Sequence, residues 1–195
     1  MDIYFVGDRS MSILKVQQLQ HTNGTVGLDI HTSGTVHIPG HVIQTVYNEH
    51  STGTAYATGS AATHDLFSAS ITPKSATSKI LVSMSVTHGT HITQNDFGLH
   101  LKRGSTRIGG RTNDVARGGA NTWYSGDDPI GVTGGANLSW NLFIASWQYL
   151  DSPNTTSSTT YTVGLYVHNY FYLNRFAGGN NAGGSSYISL QEIAQ

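Results

Sequence analysis

The sequence predicts an all-β protein: a C-terminal β-sandwich or jelly-roll head on a short N-terminal β-stalk, assembled with other copies of the chain. Three observations predict it. Residues 79–88 alternate strictly, with Ile80, Val82, Met84 and Val86 on one side and Leu81, Ser83, Ser85 and Thr87 on the other. This is the period-two pattern of a strand with one face on a core. Only 11% of the 195 residues are charged and 23 are glycine, against roughly 25% charge in ordinary soluble domains. Ser and Thr therefore take outer strand positions that Lys and Glu usually hold. Finally, the decapeptides HTNGTVGLDI (residues 21–30) and HTSGTVHIPG (31–40) are nearly the same text written twice.

Residues 1–20 begin with Ile3, Tyr4, Phe5 and Val6 and run on through MSILKVQQLQ. They read as an N-terminal anchor or arm. The opening lacks a basic region followed by an apolar one, so it does not read as a signal peptide. Residues 21–41 read as the stalk. Each decapeptide is a polar turn holding one glycine, then a short Thr-Val-x-Leu/Ile strand. Such a unit buries too little apolar surface alone, and two copies are fewer than the roughly three that a solitary solenoid needs. The missing partners are most simply other copies of the chain, which places Val26, Leu28, Val36 and Ile38 at a stalk trimer interface.

Residues 42–195 read as the head. Phe97, Leu99 and Leu101 alternate with Gly98, His100 and Lys102, and Arg103-Gly104-Ser105-Thr106 reads as a hairpin turn before Arg107-Ile108. Residues 138–150 set Trp140, Leu142 and Ile144 against Phe143, Ala145, Trp147 and Tyr149, so both faces are apolar. Residues 161–173 read as one strand with Tyr161, Val163, Leu165, Val167 and Phe171 on one face and Tyr166, His168, Tyr170 and Tyr172 on the other. Residues 187–193 form a last strand with Ile188 and Leu190 on one side. Many short strands joined by Gly-rich loops give a sandwich or jelly roll. Strands apolar on both sides imply that one sheet also packs against something outside its own sandwich, most simply another copy.

Composition also excludes. The formal net charge is -1, which leaves no general basic field for nucleic acid. The cluster Lys102, Arg103, Arg107, Arg111 and Arg117 has Asp96 and Asp114 nearby and reads as a solvated hairpin. There is no cysteine, hence no disulfide, thiol or Cys-based zinc chemistry. No apolar run reaches the ~18 residues of a membrane span.

Ten histidines raise a metal site, but no HxH pair, HExxH or carboxylate-flanked cluster appears, and neither a metal nor another cofactor is expected. His21, His31 and His41 recur every ten residues and mark the stalk register. Asp127-Asp128-Pro129 is the only carboxylate dyad of the mid-chain and reads as a turn, where a glycosidase would need a pair across a cleft. No GxSxG elbow or phosphate loop occurs, so no catalytic residue is assigned and the chain is not read as an enzyme. Trp123-Tyr124 reads as lying in a loop between Gly118-Gly119 and Gly126. With Asn121, Asp127 and Asp128 it suits sugar recognition, because aromatic faces take apolar C–H groups and amides and carboxylates take hydroxyls. A core or trimer-interface role suits the same aromatics.

The text Gly40-His41-Val42-Ile43-Gln44, followed by Ile71-Thr72-Pro73-Lys74-Ser75-Ala76-Thr77-Ser78-Lys79-Ile80-Leu81-Val82, resembles that of tail-fibre-like virion proteins of tailed bacteriophages, especially those of aquatic bacteria (the cyanophage type). Leu101-Lys102-Arg103-Gly104-Ser105-Thr106-Arg107-Ile108-Gly109 resembles their hairpin, residues 187–193 their last strand, and Met11-Ser12-Ile13-Leu14-Lys15-Val16 their usual start. The resemblance covers most of residues 11–193. It implies a homotrimeric short fibre or knob on the virion surface, joined to other virion proteins through residues 1–20 and binding a host glycan through the loop aromatics. Two rival roles use the same features: a capsid cement or decoration trimer (a head fibre), and a tailspike-like glycan depolymerase.

Overall fold

The computed structural model describes residues 18–24, 26–30, 36–57, 62–89, 97–108, 122–126, 142–167, 170–177 and 183–195. Among them every regular element is a β-strand, so the expected all-β class holds. Strands β1 (Gln18–Gln20), β2 (Val26–Ile30) and β3 (Val36–His37) form a small antiparallel meander. The first decapeptide supplies its turn: Gly24 sits at φ +84°, a conformation glycine adopts without strain, and its N–H donates to the His21 carbonyl at 2.8 Å.

The meander passes directly into the head. Gly40, also at φ +84°, donates its N–H to the Ala194 carbonyl at 2.8 Å, and the Ala194 N–H donates to the His41 carbonyl at 2.9 Å. The start of the head, where β4 (Val42–His50) begins, is thus tied to the end of the chain.

Ten further strands complete the head: β5 (Thr54–Ala57), β6 (Ala62–Ile71), β7 (Lys79–Gly89), β8 (Phe97–Arg103), β9 (Thr106–Ile108), β10 (Thr122–Gly126), β11 (Leu142–Asp151), β12 (Thr159–Val167), β13 (Tyr170–Leu173) and β14 (Ser186–Ile193). One sheet runs β10-β8-β12-β6, with β9 on β8. The other runs β4-β14-β7-β13-β5, with β11 on the opposite border of β7. All their pairings are antiparallel. The inner faces share one core that includes Ile80, Val82, Met84, Leu99, Leu101, Val163, Leu165, Ile188 and Leu190. This is a sandwich of two antiparallel sheets.

The strongest alternation behaves as its pattern requires. Ile80, Val82, Met84 and Val86 of β7 are buried in the core, and β7 becomes the central strand, paired with β11, β14 and β13. The hairpin at Arg103–Thr106 also forms, with Arg103 opposite Thr106 and Gly104 at φ +57°, the position where a two-residue II′ turn takes glycine.

Two expectations are corrected. Residues 161–173 are not one strand: β12 lies in the five-stranded sheet and β13 in the six-stranded one. The chain changes sheets between them while keeping its inward parity, so Val167 and Phe171 enter the same core from opposite sides. Trp123-Tyr124 is not a loop either. It lies in β10, paired with β8, with a register shift between Thr122 and Tyr124.

Buried polar residues fasten the rims. Asp151, at the end of β11, accepts from Arg103 Nη1 at 2.9 Å and from the Tyr161 hydroxyl at 2.6 Å, joining the two sheets. Burial, with the hydrogen bond to Asp151, raises the Tyr161 hydroxyl above the usual phenol range. Glu192 of β14 is fully buried. It accepts from the N–H groups of Lys74 at 2.8 Å and Ser75 at 3.3 Å and from the Gln44 amide. The Thr-Pro-Lys-Ser turn is thereby latched to the last strand. At the other end Asn174, at φ +52°, donates its amide to the His50 carbonyl at 2.6 Å and accepts from the Ser186 hydroxyl at 2.6 Å.

Candidate functional site

Strand order and alternation together build one broad outer surface on the six-stranded sheet. Across β4-β14-β7-β11 its rows read Thr45–Gln191–Leu81–Leu150, Tyr47–Ser189–Ser83–Gln148 and Glu49–Tyr187–Ser85–Ser146. Val42 and Ile193 lie beside Lys79 at one end, and Ile144 beside Thr87 at the other. Of the six large apolar side chains exposed among the described residues, five stand here: Val42, Tyr47, Ile144, Leu150 and Tyr187; the sixth is Leu19. Ile144 is 70% and Tyr47 58% exposed, whereas a β-sandwich with a solvated face usually keeps that face polar.

The four strands differ in what they present. The border strands β4 and β11 carry Val42, Tyr47, Ile144 and Leu150. The middle strands β14 and β7 carry hydroxyls and amides together with Tyr187, Ile193 and Leu81. Ser146 Oγ bonds Ser85 Oγ at 3.0 Å and Gln148 Nε2 donates to Ser83 Oγ at 3.1 Å, a polar ladder between β11 and β7. The Tyr47 and Tyr187 rings lie 5.6 Å apart and tilted by 30°, a favourable aromatic pair. Charge is confined to Glu49 and Lys79, at opposite ends. Such a face offers no paired acid and base for proton transfer. It offers flat apolar borders around a hydroxyl-lined centre, which suits packing against another protein surface.

The opposite sheet is different. On its outer side His100 of β8 lies opposite Gly164 of β12, and Asp65 lies opposite Gly164 from β6. Lys102 pairs with Asp65 across β12. His100 is buried, and a methyl on Gly164 would run into its imidazole ring at Nε2. Burial, then the Arg107 and Lys102 charges, lowers its pKa to about 4. His88 continues the inward row of β7 into a ring cage, 5.1 Å from Phe97, 5.4 Å from Phe171 and 5.9 Å from Phe143. Its pKa also falls to about 4, through burial, partly offset by a Gly89 backbone hydrogen bond. The described residues contain no group of three metal-ligating side chains.

The sequence candidates separate as follows. Leu28 and Ile38 are half-buried, and Val26 and Val36 lie at opposite ends of the β2 ladder, Val26 opposite Gln20 of β1 and Val36 of β3 opposite Ile30. Trp123 and Tyr124 share the border strand β10. Asn121, Asp127 and Asp128 lie outside the described residues. Tyr170 and Tyr172 stack at 6.4 Å on β13, away from Tyr166 on β12. Of the basic cluster, Lys102 and Arg103 are held by Asp65 and Asp151. His21 and His41 are exposed, and His31 lies outside the described residues.

Sequence reasoning missed the buried Glu192, Asp151 and His88. Parity would have found them. Glu192 shares that of Ile188 and Leu190, Asp151 that of Ala145, and His88 that of Ile80 to Val86.

No protein-family model matches the sequence, and no curated protein matches it. Among solved structures the fold is similar to the VP2 subviral particle of infectious bursal disease virus. The identity is 10% and the TM-score 0.37, over 79% of this chain and 38% of that one. The chain thus spans less than two fifths of that protein's length, and a likeness at this score bears on neither assembly nor role.

Proposed function

We propose that the chain is a virion structural protein, a homotrimeric short fibre or knob on the particle surface of a tailed phage, with no catalytic role. The observation that carries this reading is the continuity of two features. A β-meander of Gln18–Gln20 and strands from the two decapeptides leads without a break from β3 into β4, and β4 borders an apolar-edged sheet face whose charge is limited to Glu49 and Lys79. Both features call for other copies of the chain. The resemblance of residues 71–82 and 101–109 to tail-fibre-like proteins supports the same role. Residues 1–20 are assigned to attachment on other virion proteins. Neither nucleic acid nor a membrane is a partner in this reading.

A host glycan is the proposed ligand, bound by Trp123 and Tyr124 on β10 together with Asn121, Asp127 and Asp128. Trp123→Ala is expected to weaken adsorption to host cells several-fold with unchanged oligomer mass; unchanged adsorption removes this site. Labelling the protein on intact particles tests the location. Copies by the hundred on the capsid would replace the fibre by a cement trimer. Release of reducing sugar from host polysaccharide, lost in Asp127→Ala, would replace it by a depolymerase.

A further inference from the structure

We infer that the outer face of β4-β14-β7-β11 is the surface through which copies of this chain join in the head, β4 of one copy meeting β11 of the next around a threefold axis. The inference rests on the homotrimer proposed above and says which residues make it.

Size is the first argument. Four strands about 4.8 Å apart and ten residues rising about 3.4 Å each give a footprint of roughly 650 Å². A standard interface takes about 800 Å² per partner, so the face plus a few stalk contacts reaches that scale. Charge is the second. A nearly neutral face gives no attraction to a basic, acidic or anionic-lipid partner, and its best match is a surface of the same composition. Glu49 and Lys79, at opposite ends, stay clear of the centre.

The distribution of side chains supplies the third argument. Three flat sheets turned toward a common axis enclose a triangular prism. Its corners are where the border strand of one sheet meets the opposite border of the next, and its centre is lined by the middle strands. Here the borders carry Val42, Tyr47, Ile144 and Leu150, and the middle carries Ser83, Ser85, Ser189 and Gln191, which hydrate readily, with Leu81, Tyr187 and Ile193 adding apolar surface that facing copies would cover. The heights agree as well. Val42 lies in the Lys79 row, Leu150 in the Leu81 row and Tyr47 in the Ser83 row. Rows are spaced about 7 Å, so Leu150 of one copy enters the gap between Val42 and Tyr47 of its neighbour. Continuity is the fourth argument, since Val42 is the first residue after the stalk, and chains joined in the stalk deliver their β4 strands side by side.

The chain contains no cysteine, which makes a clean test. Tyr47 and Leu150 stand on opposite borders of one sheet, about 14 Å apart by strand spacing, beyond the roughly 7 Å Cα separation a disulfide spans. Full-length Tyr47→Cys/Leu150→Cys, mildly oxidised, is expected to run as a covalent trimer on non-reducing gels. Each single variant can join two chains at most. Val42→Cys/Leu150→Cys repeats the test one row pair lower. Ile144→Lys/Leu150→Lys is expected to lower the native mass threefold at micromolar concentration while circular dichroism still shows cooperative unfolding; if that variant misfolds, the cysteine pairs decide. If the unaltered protein is a trimer, yet neither cysteine pair gives covalent trimers and the lysine variant stays trimeric, this face is not the interface and the stalk alone holds the copies. If the unaltered protein is a monomer, the homotrimer reading fails first and this inference with it.

Discussion

Acid should loosen the head through His88. The ring is buried within a cage of Phe97, Phe143 and Phe171, and burial lowers its pKa from 6.5 to about 4. The folded state therefore holds it neutral where the unfolded chain is already protonated. Its stabilising effect is fully present above pH 6.5, declines as pH falls through that value, and is gone below about pH 4. A tenfold difference in proton affinity between the two states is worth about 1.4 kcal/mol, so His88 costs the fold about 2 kcal/mol between pH 7 and pH 5. At about 2–4 °C per kcal/mol for a chain of this size, its share of the drop in Tm is about 4–8 °C. Other groups titrate over the same range, so the difference between two proteins is the informative quantity. His88→Leu keeps the apolar cage filled and removes the titration. Thermal unfolding of both proteins at one concentration, at pH 7 and pH 5, should show a smaller acid-induced drop in Tm in the variant by that amount. Parallel drops would refute the buried neutral ring.

Three further outcomes follow from the packing. Asp151→Asn removes the charge shared by Arg103 and Tyr161 and should cost about 2–4 kcal/mol in urea unfolding; a loss under about 0.5 kcal/mol would mean the rim clamp is marginal. Gly164→Ala drives a methyl into His100 and should cost about 1–3 kcal/mol, while His100→Ala in the same chain recovers much of it; strictly additive losses would contradict the close approach. Glu192→Ala should raise hydrogen exchange at the Lys74 and Ser75 amides on the order of tenfold or more, since each loses its carboxylate acceptor; unchanged exchange there would show the turn stands without its latch.

How much of this was legible depended on whether local alternation and sheet membership coincide. In β7 they do: one strand lies in one sheet, and its apolar parity is its core parity. The hairpin at Gly104 was equally open, because turn chemistry is local. In residues 161–173 they do not coincide. Val163, Leu165 and Val167 enter the core from one sheet and Phe171 and Leu173 from the other, and the parity is continuous across the change. A period-two pattern reports which side faces the core and carries no information about which sheet provides it. The Gly, Asn and Thr that flank Trp123-Tyr124 signal a loop; pairing with β8, a long-range contact, makes it strand. The two-sided apolar character of β11 was legible. Its outward half, Ile144 and Leu150, is the exposed border of the candidate interface.

Three of the polar residues that the head buries, His88, Glu192 and Asp151, follow one rule. Each stands at or next to the end of an inward row of apolar side chains: His88 after Val86 on β7, Glu192 after Leu190 on β14, Asp151 after Tyr149 on β11. At the rim the core is too thin to hold another aliphatic side chain away from water, yet the turns there expose backbone N–H groups and partner side chains that need acceptors. A carboxylate at that position satisfies them from inside, as Glu192 does for Lys74 and Ser75. The outward parity of the same strands carries mainly Ser, Thr and Gln, with Leu81, Tyr187 and Ile193 among them and Ile144 and Leu150 on the β11 border. The sandwich is therefore closed along its inner rows and at its ends, and the uncovered apolar side chains lie on the one broad face that neither the core nor the rims use. That division is the physical ground on which the proposed contact between copies of the chain rests.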